Sequence, residues 1–366
     1  MLNRMIVANL RRRPVRSLVS IVAVAIEVVL ILMIVGLTNG MVNDQHNRIE
    51  GIGADVVVHA GGGSEITALS GNTMPLKLAG VFAKVPGVAA VAGSSVGIAS
   101  GIETVAGVNM PQFDAVSGGF RFLKGGPFHP GTQEVIVDDL QAASQHLSPG
   151  STMTILGQPF TVTGIFEHGM GSRMAIDLDV LDRLVGSPGK AAVFWIKLKD
   201  PHNPAPVVDA LKTMAPNENV QAIGDYLSLF TSSGISPALP IFQKVMVGIA
   251  VVIGFLVIFL SLYTTVLERT REIGILKSLG ASKGYIVQAV LRESEFLTVL
   301  GIVAGTILAY LLWRALGHAY PTLTIEMTWQ WVGWSALIAV ISSLVGALYP
   351  AAKAAAQDPI AALAYE

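Results

Sequence analysis

The chain has 366 residues, 52% hydrophobic and only 13% charged, with a formal net charge of −1. Soluble domains carry about 25% charged residues, so this balance excludes an ordinary soluble protein, and a near-neutral chain has no global signature of nucleic-acid binding. The absence of cysteine excludes disulfides, thiolate metal sites and cysteine nucleophiles together.

Residues 1–16 hold Arg4, Arg11, Arg12, Arg13 and Arg16 and no acid, and read as a basic amphipathic N-terminus. Residues 17–41 follow as an apolar run whose single charge is Glu27. A secretory signal has an apolar stretch of about 7–15 residues and a small-residue cleavage site. This run is longer and no such site closes it, so an uncleaved membrane anchor is expected. An ionisable group within a span is costly, which marks Glu27 as an intramembrane polar site, either protonated or hydrogen-bonded against a neighbouring helix, or acting directly in coupling or substrate passage.

From 42 to 240 the texture changes to short pieces. "ADVVVHAGGG", "QEVIVDDL", "TMTILGQPFTVTGIFE" and "AAVFWIKLKD" read as strands, rich in β-branched residues and bounded by Gly, Pro or Asp. "LKLAGVFAKV", "DLQAASQHL" and "PAPVVDALKTMAP" read as short helices. The alternation predicts an α+β or α/β domain of two small lobes, and "LFTSSGISPALPIF" (229–242) a hinge back to the membrane. Catalytic motifs fail on context. "GSSVG" at 93–97 matches G-x-S-x-G but continues as strand-like sequence rather than turning into a helix. "GSPGKA" has the wrong spacing for a phosphate loop. Glu167–His168 has no second pair at metal-ligand spacing, and Asp138–Asp139 reads as a helix cap. Neither a catalytic nor a metal site is expected.

Three more stretches are long enough to span a bilayer, which takes roughly 20 apolar residues: 241–267, 296–316 and 329–349. Short-loop charge sets their orientation. The 268–295 segment carries Arg269, Arg271, Lys277, Lys283 and Arg292, whereas 317–328 carries no Lys or Arg. Both termini and 268–295 are therefore expected on the cytoplasmic side, and 42–240 and 317–328 outside. The remaining 350–366 forms a cytoplasmic tail. Within "TREIGILKSLGAS", Ile273, Leu276 and Leu279 recur at helical spacing, Gly280 fits the position after a helix, and Ser282 can cap the next. Alternating charge suits a protein groove better than a lipid surface. Ile273 and Leu276 are expected against that groove, with Gly274 at the closest approach.

At these residues the chain resembles a known family. "ERTREIGILKSLGAS" is similar to the coupling-helix segment of FtsX/MacB-type ABC transporter permeases, the type VII or mechanotransmission class. "YPAAKAAAQDPIAALAYE", with its D-P-x-x-A-L element, resembles that family's ending, and "NLRRRPVRSLVSIVAVAI" and "FTVTGIFE" also fit it. The resemblance implies an α-helical membrane protein with four transmembrane helices and a mixed α/β extracytoplasmic domain, like the MacB periplasmic core, inserted between helices 1 and 2. It implies ATPase coupling through Arg271, Glu272, Ile273, Gly274, Ile275, Leu276, Leu279, Gly280 and Ala281. The chain itself is expected to be no enzyme and to bind no cofactor, with ATP and Mg carried by a separate, dimeric ABC ATPase. A second permease copy or paralogue, a periplasmic adaptor and membrane lipids are the other implied partners, in a bacterial inner membrane. The implied work is extraction or efflux of a lipidic or amphipathic substrate such as a lipoprotein, lipid, drug or peptide. The rival reading is a non-transporting regulator of an extracytoplasmic wall hydrolase.

Overall fold

A computed structural model describes residues 14–61, 72–100, 103–233, 238–268 and 270–356. The basic segment 1–13 and the D-P-x-x-A-L tail lie outside them. The described residues form two compact units. One is a membrane bundle, drawn from the chain up to residue 40, from 240 to 318 and from 325 onward; the other is an α/β unit of residues 41–239 and 319–324.

In chain order the elements are α1 (Pro14–Glu50), β1 (Val56–His59), β2 (Met74–Pro75), α2 (Leu78–Phe82), β3 (Val88–Ser100), β4 (Glu103–Val108), α3 (Met110–Ser117), β5 (Phe122–Gly125), β6 (Glu134–Asp138), α4 (Asp139–Gln145), β7 (Thr152–Ile155), β8 (Gln158–Phe166) and β9 (Met174–Asp177). Then come α5 (Leu178–Val185), β10 (Lys190–Ala191), β11 (Val193–Leu198), α6 (Ala205–Met214), β12 (Asn219–Ala222), α7 (Ile223–Ser233), α8 (Ala238–Glu268), α9 (Thr270–Ser278), α10 (Lys283–Ala319) and α11 (Trp329–Ala356).

The α/β unit is built on one ten-stranded sheet, ordered β12-β1-β11-β3-β4-β9-β6-β8-β5 with β7 paired to β8. Successive side chains on a strand point to opposite faces, and the apolar clusters follow that alternation. On one face Val57, Ala92, Val108, Ile136, Phe166 and Trp195 belong to a single core that runs across most of the sheet. On the other face the core is divided. Val56, Val58, Phe194 and Ile196 pack with Phe82 and Leu211 at one end, and Val105, Val137, Ile165 and Ile176 pack with Phe160 and Leu181 at the other. The two lobes expected from sequence are therefore two clusters on one face of a continuous sheet. Caps define the short helices: the carboxylates of Asp138 and Asp177 accept from the backbones of Gln141 and Val180, and Gly118 and Gly186 close α3 and α5 in the left-handed region.

In the bundle, four helices among the described residues are long and apolar enough to cross a membrane. Their extents correct the sequence boundaries. α10 has 37 residues, about 55 Å at the α-helical rise, so residues 283–295 continue the third span instead of forming a loop. α11 continues past residue 349 through Pro350 into "AAKAAA", an alanine-rich stretch of high helix propensity. α7 and α8 occupy most of the expected hinge; residues 234–237 lie outside the described set.

Small residues set how closely these helices approach. A Cβ on Gly301 would strike the Val24 side chain, and one on Gly305 would strike the Ala25 backbone, so this G-x-x-x-G step of α10 lies directly against α1. A Cβ on Gly346 of α11 would sit 3.1 Å from the Phe255 carbonyl of α8. Hydroxyls cross the remaining seams: Ser20 with Ser261 at 2.6 Å, and Ser343 with both Ser294 and Thr298 at 2.7 and 2.5 Å.

Candidate coupling surface and intramembrane carboxylate

The polar break between the second and third spans folds as a short helix with a complete C-terminal cap. The Ala281 N–H reaches back to the Leu276 carbonyl and the Gly280 N–H to the Lys277 carbonyl, each at 3.0 Å. Gly280 has φ +94°, a conformation only glycine adopts readily. Together these bonds form a Schellman motif, and Leu276 and Ala281 both pack against the same apolar cluster. Ser282 then caps α10, its hydroxyl accepting from the Tyr285 N–H at 3.2 Å.

Sequence reasoning put the wrong face outward. Ile273 is 8% exposed and packs with Leu276, Val266, Ile286, Ala354 and Ala355 of this same chain. Gly274 is buried as well. The Lys277 ammonium donates to the Ala355 carbonyl at 2.9 Å, satisfying one of the carbonyls left open at the end of α11. The groove expected around Ile273 and Leu276 is thus supplied within the chain, by the ends of α8, α10 and α11. Outward, besides Ser278 and Gly280, are Arg271, Ile275 and Leu279, spaced four apart on one stripe, with Ile275 44% and Leu279 80% exposed. The spacing was readable in the sequence; the face that the neighbouring helices cover was not. The side chain of Glu272 lies outside the described residues.

Glu27 is 1% exposed in the bundle. The Ser342 hydroxyl of α11 donates to its carboxyl oxygens at 3.0 and 3.3 Å. On the α8 side the carboxyl fills the notch left by Gly254, where a Cβ would overlap it. Glu27 therefore meets α8 and α11 at one point. Near the ends of α8 and α11, sequence reasoning missed a second polar contact: the Lys353 ammonium meets the Tyr263 hydroxyl at 2.7 Å and lies 4.5 Å from the ring centroid.

Three of the motifs set aside in the sequence make local side-chain contacts. Ser94 and Ser95 lie mid-strand in β3, bonded to the Trp195 indole and to Asp182. Glu167 pairs with Arg121, and His168 with Asp139. Among the described residues no cluster of three or more His, Asp or Glu is arranged to hold a metal.

The chain combines an α/β domain with four helices long and apolar enough to cross a membrane and a short capped helix between two of them. Residues 17–214 match the model of the MacB-like periplasmic core domain, and residues 244–359 that of the FtsX-like permease C-terminal. The chain belongs to this family of ABC transporter permeases. It is 29% identical over 244 residues to the uncharacterized ABC transporter permease YknZ of Bacillus subtilis, covering 59% of this chain and 57% of that one. It is 26% identical over 237 residues to the pyoverdine export ATP-binding/permease protein PvdT of Pseudomonas savastanoi pv. phaseolicola, covering 61% of this chain and 36% of PvdT. The chain therefore spans little more than half of one relative's length and about a third of the other's. The solved periplasmic region of MacB from Actinobacillus actinomycetemcomitans aligns with 50% of this chain and 96% of its own at 16% identity, with a TM-score of 0.38.

Proposed function

We propose that this chain is the membrane subunit of an ABC exporter that works by mechanotransmission. ATP and Mg are bound and hydrolysed on a separate, dimeric ATPase, and α9 carries the motion to this chain. The observation that carries the reading is the division of α9 into two faces. Ile273, Gly274, Leu276 and Lys277 fix it to the ends of three helices, while Arg271, Ile275 and Leu279 stay outward. A helix held rigidly from behind and apolar in front suits transfer of a push, because little of the displacement is lost in the joint.

In this reading both termini and α9 face the cytoplasm of a bacterial inner membrane, and the α/β unit lies outside between the first and second spans. Two permease chains, identical or paralogous, pair across the ATPase dimer. The similarity to PvdT, a pyoverdine export protein, supports efflux or extraction over regulation of a wall hydrolase, and the apolar membrane setting favours a lipidic or amphipathic cargo, handed outside to an adaptor.

The test is affinity purification of the full chain from its native membrane, followed by mass spectrometry and an ATPase assay. An ABC ATPase should be recovered with the chain, hydrolysis should depend on that subunit, and Leu279→Asp should remove both. Recovery of the folded chain without any ATPase, or an unchanged complex with Leu279→Asp, would contradict the proposal.

A further inference from the structure

We propose that Arg173 is a positioning residue that ties the end of α1 and the turn between α10 and α11 to the α/β sheet, so that the three shift as one body. The inference deepens the mechanotransmission reading and rests on it for its purpose, not for its geometry. Arg173 stands just ahead of β9, and its guanidinium is 13% exposed. One terminal nitrogen meets Asp44 Oδ2 of α1 at 3.0 Å and the Thr322 carbonyl at 3.2 Å; the other meets Asp138 Oδ2 at 3.2 Å. Arg48, one turn along α1, pairs with the same Asp44 oxygen at 3.1 Å. Asp138 is fastened to Arg173 a second time, its N–H donating to the Arg173 carbonyl at 2.8 Å.

Two arginines and two aspartates balance in charge, yet taking them out of water costs more than apolar packing would. Stability alone does not call for them, since Ile49 and Ile52 at the end of α1 already lie in the sheet's core. What the cluster adds is register. Three acceptors from three separate segments converge on one planar fork, which a lysine, with a single nitrogen, cannot reproduce. The fit around it is close: the Gly171 N–H donates to the Arg48 carbonyl at 2.8 Å, and a Cβ on Gly51 would strike the Gly169 carbonyl. Residues 44–50 at the end of α1 and the turn at Thr322 would therefore hold their places against the sheet within the α/β unit.

The chain has no cysteine, so Ala319→Cys and Lys212→Cys introduce a unique spin-label pair in the full-length protein in lipid nanodiscs. Pulsed electron resonance should give one narrow distance in the otherwise unaltered chain. Arg173→Lys, which keeps the charge, should broaden it about two-fold while the thermal midpoint and the amide protection of β6 and β8 stay unchanged; Arg173→Met should broaden it further. Where Arg173→Met unfolds the sheet, Arg173→Lys decides. A distance equally narrow in Arg173→Lys overturns the proposal, and so does a fall in thermal midpoint with the distance still narrow, which marks a role in stability only. No ATPase or nucleotide enters the measurement, so its failure is separate from failure of the coupling reading.

Discussion

Replacing Gly254 by alanine tests the contact between Glu27 and α8. The new methyl would occupy the position of the Glu27 carboxyl, and neighbouring helices close the site, leaving Glu27 1% exposed. Overpacking of this kind costs about 1–3 kcal/mol. Glu27→Ala alone removes the Ser342 bond and leaves a void, again about 1–3 kcal/mol, although the Ser342 hydroxyl keeps the Ala339 carbonyl at 3.3 Å as a second acceptor. In the double variant the added methyl enters the vacated space, so the two losses should not add. A favourable coupling of about 1–2 kcal/mol is expected from a double-mutant cycle. Thermal unfolding of the four proteins in neutral-lipid nanodiscs reads this directly, and Glu27→Gln, which keeps the shape and a hydrogen-bonding end, should lie near the parent. Strictly additive losses would refute the direct contact.

Ile273→Ala and Ile275→Ala separate the two faces of α9. The first should cost about 2–4 kcal/mol of stability in the isolated chain, the second under about 0.5 kcal/mol while weakening ATPase recovery; equal destabilisation by both would show that the faces are misassigned. His59, 8% exposed beside the Tyr226 ring, is held neutral by burial, its pKa lowered from 6.5 to about 4. The unfolded chain binds that proton near 6.5, so the contribution is complete above 6.5 and is lost as pH falls through about 4, roughly 3 kcal/mol in all. The pH dependence of chemical unfolding should therefore be flatter for His59→Phe than for the parent between pH 7 and 4, and identical slopes would exclude the assignment. Topology is open to an impermeant thiol reagent in intact spheroplasts, which should label Lys212→Cys and leave Ser282→Cys untouched; the reverse pattern would invert the orientation.

Local chemistry carried most of what was legible in the sequence. Asp138 before a helical run, Gly280 and Ser282 around a break, and β-branched runs such as Val56–Val57–Val58 each acted where they stood, because caps and strand propensity depend on neighbours in the chain. Glu27 was conspicuous for being charged in an apolar run, though its partners Gly254 and Ser342 lie 227 and 315 residues away and carry no sequence mark of their own. The face assignment of α9 failed for a related reason. Periodicity marks an apolar stripe but not whether the chain itself supplies its cover, and here the ends of α10 and α11 cover Ile273 before any partner can. The Arg173 cluster was invisible for the same cause: Asp44, Asp138, Arg173 and Thr322 come from four segments that only the folded sheet brings together.

Photo-cross-linking at Leu279 tests the central claim most directly. A benzophenone amino acid in place of Leu279, exposed at the C-terminal end of α9, should capture an ABC ATPase in native membranes, and the same probe in place of Leu276 should yield only cross-links within the chain. Capture of lipid alone at 279, or of the ATPase equally from both positions, would contradict the coupling surface described for this permease.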